Sequence, residues 1–222
     1  ATATAFGLSQ LNSRFGIHGY EFSAEGLGRY AKINIKGKTD GVEDRTGKYF
    51  DWADAYFRTS VYQTYDLSVS GGTENTSYYS SFAYTKDQGR TITNDFDRLT
   101  GRVNVTQKVG KLVELATSVN VAHTDQKGFN DTQNNNTNYY MQYINFNHGF
   151  YWPTDYKTGE PFTDRYGSLG RNLVYYQNEW DNSSKNFKVS ANETVTVHLM
   201  EGLDLRSVFS YDYSETKDHV YY

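Results

Sequence analysis

Asp97-Arg98-Leu99-Thr100-Gly101-Arg102-Val103-Asn104-Val105-Thr106, a turn around Gly110, and Val113-Glu114-Leu115-Ala116-Thr117-Ser118-Val119-Asn120-Val121 form two alternating runs. Successive side chains of a strand point to opposite faces, so Leu99, Val103 and Val105 share one face of the first run. Val113, Leu115, Val119 and Val121 share one face of the second. The opposite faces carry Arg98, Thr100, Arg102, Asn104 and Thr106, then Glu114, Ser118 and Asn120. Period two over this length predicts an antiparallel hairpin with one apolar and one wet surface. Each run is about as long as the roughly 9–11 residues that a tilted strand needs to cross a bilayer.

The pattern recurs on both sides. Tyr65, Leu67 and Val69 alternate with polar residues, and after Gly71-Gly72 the chain returns with Tyr78, Phe82 and Tyr84 on one face. Phe187, Val189, Ala191, Val195 and Val197 alternate with Lys188, Ser190, Asn192, Thr194 and Thr196. Beyond Gly202, Leu203, Leu205, Phe209, Tyr211 and Tyr213 alternate with Asp204, Arg206, Ser210 and Asp212. Six strands are predicted, joined alternately by short turns near Gly72, Gly110 and Gly202 and by longer links at 87–95 and 124–185. Short turns at one end and long loops at the other are the asymmetry of transmembrane β-barrels, whose lumen faces are polar. The fold class expected is therefore all-β, part of an antiparallel transmembrane β-barrel with long extracellular loops. Glu193 falls on the apolar face of its strand, which predicts a bulge there or a place outside the hydrocarbon.

Composition narrows the function classes. Tyr occurs 21 times, Cys is absent, Pro occurs twice, and the net charge is −4. The charge gives no basic field for nucleic acid. Without Cys there are no disulfides, thiolate nucleophiles or thiolate zinc sites. No run of eighteen apolar residues is present, so no transmembrane helix is predicted. No basic-then-apolar leader precedes Ala1-Thr2-Ala3-Thr4. An open six-stranded sheet would leave two edges unsatisfied in lipid, so the chain is read as a piece of a larger barrel.

Enzyme signatures are missing. The sequence has no Gly-x-Ser-x-Gly elbow, His-Glu-x-x-His, P-loop or EF-hand ladder. Gly26-Leu27-Gly28 lacks the third glycine and the later acidic residue of a dinucleotide fingerprint. His18, His123, His148, His198 and His219 pair with no carboxylate at ligand-like spacing. Asp51 with Asp54, and Asp212 with Glu215, could supply a glycosidase pair, but they read better as solvated or lumen-facing residues. No catalysis, cofactor or metal is expected.

The stretch Phe50-Asp51-Trp52-Ala53-Asp54-Ala55-Tyr56-Phe57-Arg58-Thr59 is followed by Tyr65-Asp66-Leu67-Ser68-Val69-Ser70-Gly71-Gly72 and by Arg98-Leu99-Thr100-Gly101-Arg102-Val103-Asn104. This block resembles the start of the barrel in SusC/RagA-type TonB-dependent transporters. The resemblance implies a nutrient-import channel of the Gram-negative outer membrane, a barrel of about 22 strands filled by an N-terminal plug. It implies a SusD-like surface lipoprotein as partner, TonB contacted through the plug region, and oligosaccharide or oligopeptide substrates. The plug, the TonB-contacting segment and the closing strand have no counterpart in these residues.

The organisation expected is a barrel lead-in and loop at 1–61, four strands at 62–123, a long extracellular loop at 124–185 and two further strands at 186–222. Loops on rigid scaffolds carry binding, and the long loop is rich in rings and amides. Tyr139, Tyr140, Tyr143, Trp152 and Trp180 are the candidate ligand or partner contacts. The same rings could instead form the loop's own core, as a compact long loop requires. A soluble β-sandwich carbohydrate-binding module is the alternative reading of the whole chain, and detergent dependence separates the two.

Overall fold

A computed structural model describes residues 2–26, 30–128, 147–163, 172–179 and 181–221. The chain divides into two compact units, one of residues 1–57 and 130–180 with residue 222, the other of residues 58–129 and 181–221.

The second unit is one antiparallel sheet. Its strands are β3 (Val61–Gly72), β4 (Thr76–Gln88), β5 (Asp95–Val109), β6 (Val113–Lys127), β7 (Asp181–Met200) and β8 (Leu203–Tyr221), in spatial order β3-β4-β5-β6-β7-β8. All six predicted strands are present, and they run longer than the apolar alternation alone. β6 continues to Lys127 and β7 begins at Asp181 because their polar ends still pair, with Lys127 opposite Ser183. The turns after Gly72, Val109 and Met200 share one end of the sheet; at the other end lie 89–94, the start of β3, the exit from β6 and the start of β7.

Direct partners in an antiparallel pair share a face, so the register fixes the composition of each surface. Leu67, Phe82, Gly101, Val121, Val189 and Tyr213 form one row across all six strands. The next row toward the turns is Val69, Ser80, Val103, Val119, Ala191 and Tyr211. This apolar band ends toward the loops in a charged row of Lys86, Asp97, Asp125, Lys185 and Lys217. Within that row Lys185 pairs with Asp125 at 3.6 Å, and the Tyr84 hydroxyl donates to Asp97 at 2.7 Å. Glu193 lies in the band beside Thr117 and Phe209 with no bulge at its position; the register irregularity falls instead between His198 and Met200. The carboxylate finds a partner in place of a bulge: the Thr117 hydroxyl donates to it at 2.5 Å.

The first unit holds the buried apolar core of the described residues. α1 (Thr2–Phe15) leads through a short 3-10 turn into the ribbon of β1 (Tyr20–Glu25) and β2 (Lys32–Gly37), which pair antiparallel. The Asn12 amide bonds both the N–H and the carbonyl of Phe22, docking α1 on β1. α2 (Trp52–Tyr56) starts at Asp51, whose carboxylate accepts from the N–H groups of Ala53 and Asp54. That carboxylate is an N-cap, which satisfies two otherwise orphaned donors. α3 (Leu173–Glu179) is tied to the rest by the Asn172 amide, which donates to the carbonyls of Pro153 and Phe162. Phe15, Tyr20, Phe22, Trp52, Tyr56, Tyr151, Trp152, Tyr156 and Leu173 are buried together here, and no apolar residue of the six-stranded sheet is buried to the same degree. Among the described residues no helix is long and apolar enough to cross a membrane.

Backbone approaches are tight where loops cross in this unit. The Val42 N–H donates to the Tyr156 carbonyl at 2.8 Å, and a Cβ on Gly41 would lie 2.0 Å from that same oxygen. Gly41→Ala is therefore expected to destabilise the first unit by about 1–3 kcal/mol, the usual range for overpacking. Limited proteolysis of the full chain should show faster cleavage around 38–46 and an unchanged pattern within the sheet.

Candidate functional site

The polar face of the sheet is built by the residues that alternate with the apolar band. One row holds Asp66, Ala83, Thr100, Ala122, Lys188 and Ser214, and the next holds Ser68, Ser81, Arg102, Asn120, Ser190 and Asp212. Arg98 stands one row nearer the loops, with Thr85 and Thr124. These side chains surround an open concavity of about 420 Å³ in which Arg98, Arg102 and Lys188 rise around a floor of Thr100, Gly101 and Ala122.

Cross-strand hydrogen bonds hold this face in place. Arg102 Nε donates to Asn120 Oδ1 at 2.6 Å, Ser118 Oγ to Asn104 Oδ1 at 2.8 Å, and Ser190 Oγ to Asp212 Oδ1 at 2.5 Å. Asn186 Nδ2 donates to Thr216 Oγ1 at 2.7 Å farther along. Near the turns, His198 Nδ1 and Asp204 Oδ1 lie 2.7 Å apart. Sequence spacing alone did not suggest that pair; its signal is the hairpin register, which places the two residues opposite one another. Among the described residues no group of three or more His, Cys, Asp or Glu side chains could hold a metal ion.

Of the rings singled out in the sequence, Tyr139, Tyr140, Tyr143 and Trp180 lie outside the described residues. Trp152 is buried in the first unit. Its indole N–H donates to the Tyr20 hydroxyl at 2.8 Å, and that hydroxyl donates to the Lys48 carbonyl at 2.6 Å. The Arg45 guanidinium stacks 3.5 Å from the Trp152 ring centre and is itself fully buried, with Glu43 at 3.7 Å. Such stacking uses the flat, weakly hydrated guanidinium that lysine lacks. Phe150 packs edge-on to Tyr20, and Phe50 to Trp52.

His18 closes this network. Its Nδ1 accepts the backbone N–H of Trp152 at 2.9 Å, which requires the neutral imidazole. Burial lowers its pKa from 6.5 to about 4.

No family model matches the chain. A stretch of 55 residues, 25% of this chain, is 42% identical to the TonB-dependent receptor SusC of Bacteroides thetaiotaomicron and covers 6% of it. The solved structure of the RagAB peptide transporter superposes with a TM-score of 0.60 over 78% of this chain and 20% of that one, at 22% identity. The RagAB peptide importer in its open-open state gives a TM-score of 0.60 over 76% and 19%, again at 22% identity. The chain is SusC/RagA-like. The structural likeness shows the fold, and the SusC match carries the likeness in sequence over a quarter of this chain. The chain spans about a fifth of the length of the two solved chains.

The His18 geometry in this SusC/RagA-like chain makes the stability of its aromatic unit depend on pH. The folded pKa lies below the unfolded one, so only the unfolded state takes up a proton as pH falls from 6.5 toward about 4. Stability is full above pH 6.5 and declines across that window by about 3 kcal/mol in all. Tryptophan-detected unfolding at pH 7.5, 5.5 and 4 should show the decline. His18→Gln, whose amide oxygen can still accept the Trp152 N–H, should flatten it.

Proposed function

We propose that this chain forms part of the wall of a TonB-dependent nutrient importer of the outer membrane. The observation that carries the reading is the uncovered apolar band. Leu67 is 74% exposed, Phe209 64% and Leu205 60%, on a face that runs continuously across six strands. Monomeric soluble proteins rarely expose contiguous apolar patches of that extent. From Val109 to Leu99 the band spans about ten residues, near the roughly 9–11 that cross the hydrocarbon on a tilted strand. Charged Lys86, Asp97, Asp125, Lys185 and Lys217 then mark its outer limit. A soluble sandwich would need a second sheet of matching size, and the only other sheet among the described residues is the pair of six-residue strands β1 and β2.

In this reading the apolar band faces lipid, the polar face lines the passage, and the tight turns after Gly72, Val109 and Met200 are periplasmic. Among the described residues β3 and β8 each keep one free edge in the six-stranded order, and further strands of a barrel of about 22 would pair with them. The likeness to SusC and to the RagAB peptide transporter supports import of oligosaccharides or oligopeptides with a SusD-like lipoprotein and energy from TonB. The extracellular segment between β6 and β7 would supply contacts to lipoprotein or substrate through Tyr139, Tyr140, Tyr143 and Trp180. Trp152 would act there through the buried framework it holds together.

Two experiments test the reading. The full-length protein should fractionate with the outer membrane and run as a heat-modifiable band in detergent gels; a protein soluble without detergent would refute the assignment. Val119→Arg, on the apolar face, should destabilise the folded barrel by up to about 2–4 kcal/mol according to depth, whereas Thr106→Arg on the polar face should have little effect. Urea unfolding in lipid vesicles, followed by tryptophan fluorescence, compares the two.

A further inference from the structure

Arg98, Arg102 and Lys188 stand out on the polar face. The two arginines are four residues apart on β5, so they point the same way, and Lys188 on β7 lies in the row of Thr100 between them. Two inter-strand spacings separate Lys188 from Thr100, about 10 Å. The residue between is Ala122, too short to fill the space over it, and the three cations rim the concavity that results. None of the three is in an ion pair among the described residues. The acids of these two rows, Asp66 and Asp212, sit on the edge strands β3 and β8, and Asp212 is engaged by Ser190; Asp87 lies one row beyond Arg98 on β4 and makes no ion pair with it. Arg102 gives its Nε to Asn120, which orients the guanidinium and leaves its two terminal nitrogens for a further acceptor. Three cations over a small-residue floor are thus gathered in a chain whose net charge is −4.

We propose that Arg98, Arg102 and Lys188 form an anion station that takes carboxylate groups of an oligomeric substrate as it passes along this face. The proposal rests on the reading of the face as a substrate passage and adds the class of substrate. A guanidinium fork matches a carboxylate with two parallel hydrogen bonds, and a lysine adds a mobile point charge. An incoming anion also relieves the repulsion among the three cations, so the station favours acidic oligomers over their uncharged counterparts. The open concavity suits a chain sliding past rather than a ligand enclosed on all sides. Acidic peptides and uronate-containing glycans both present this chemistry.

The test uses the full-length protein purified in detergent, with four probes: tetraglutamate, tetraglutamine, tetragalacturonate and neutral galactotetraose. Calorimetric titration is expected to show at least one acid tetramer bound ten-fold or more tightly than its uncharged counterpart, and whichever acid it is identifies the source of the carboxylates. The preference should shrink as salt is raised, because the charges are solvent-exposed. It should be lost in the double variant Arg98→Gln with Lys188→Gln, which leaves the Arg102–Asn120 bond in place. The single variants carry the same comparison if the double variant folds poorly. Equal binding of acid and neutral tetramers, or a preference that survives in the variants, overturns the proposal. So does a lower Tm of the ligand-free variants with no acid bound by the wild type, since the cations then serve carboxylates of the protein itself. Heat-modifiable mobility of the same samples reports separately on the wall reading: a heat-modifiable barrel with no acid preference overturns the station alone.

Discussion

A strand presents its side chains alternately to two faces, and in this chain that period of two is carried through six strands without a register break until the last hairpin. Everything else about the sheet follows from it. A single-residue slip would send Val119 to the polar face and Asn120 to the apolar one, so the pairing is strongly specified by side-chain chemistry. The short turns reinforce it, because Gly110 and Gly202 adopt positive φ values of 66° and 80° and close the hairpins without a long loop to absorb an offset. The sheet is thereby left with one surface that excludes water and one that welcomes it, and only lipid or another apolar layer can satisfy the first.

The first unit solves the opposite problem. It is built from segments distant in sequence, and it gains its order from rings rather than from a repeating pattern. Trp152 is the joint: its backbone N–H goes to His18, its indole N–H to Tyr20, and its face to Arg45. Each polar handle on a buried ring needs a partner, because an unmet donor in such a place costs as much as a lost hydrogen bond. The arrangement therefore ties residues 18–20 to residue 152 and, through Trp52 Nε1 and the Tyr151 carbonyl at 3.1 Å, to α2 as well. It also makes a neutral His18 part of the fold.

Charge is distributed between the two faces of the sheet with a clear division of labour. On the apolar side, ions are confined to the loop end, where Lys185 meets Asp125 and Arg58 meets Asp95 at 2.6 Å; Glu193 is the exception and carries a hydroxyl partner. On the polar side, Arg98, Arg102 and Lys188 remain free of ion pairs among the described residues while neutral amides and hydroxyls bond across the strands. Cross-strand hydrogen bonds hold this face, and among the described residues its three cations take part in none of the ion pairs.

The amino-acid order alone specified the strands, their faces and the ends at which turns and loops gather, because alternation and turn residues are local signals read within a few positions. It also carried the block around Asp51-Trp52 and Ser70-Gly71-Gly72 that pointed to SusC/RagA-type transporters. It did not reveal α1, whose residues Thr2–Phe15 give a weakly amphipathic pattern, nor the role of Asp51 as a helix cap. The burial of Trp152, the neutrality of His18 and the grouping of Lys188 with two arginines some ninety residues away were decided only in three dimensions. Each of these depends on contacts between segments far apart in the chain, and a local pattern records which face a residue takes but not which distant residue it will meet there.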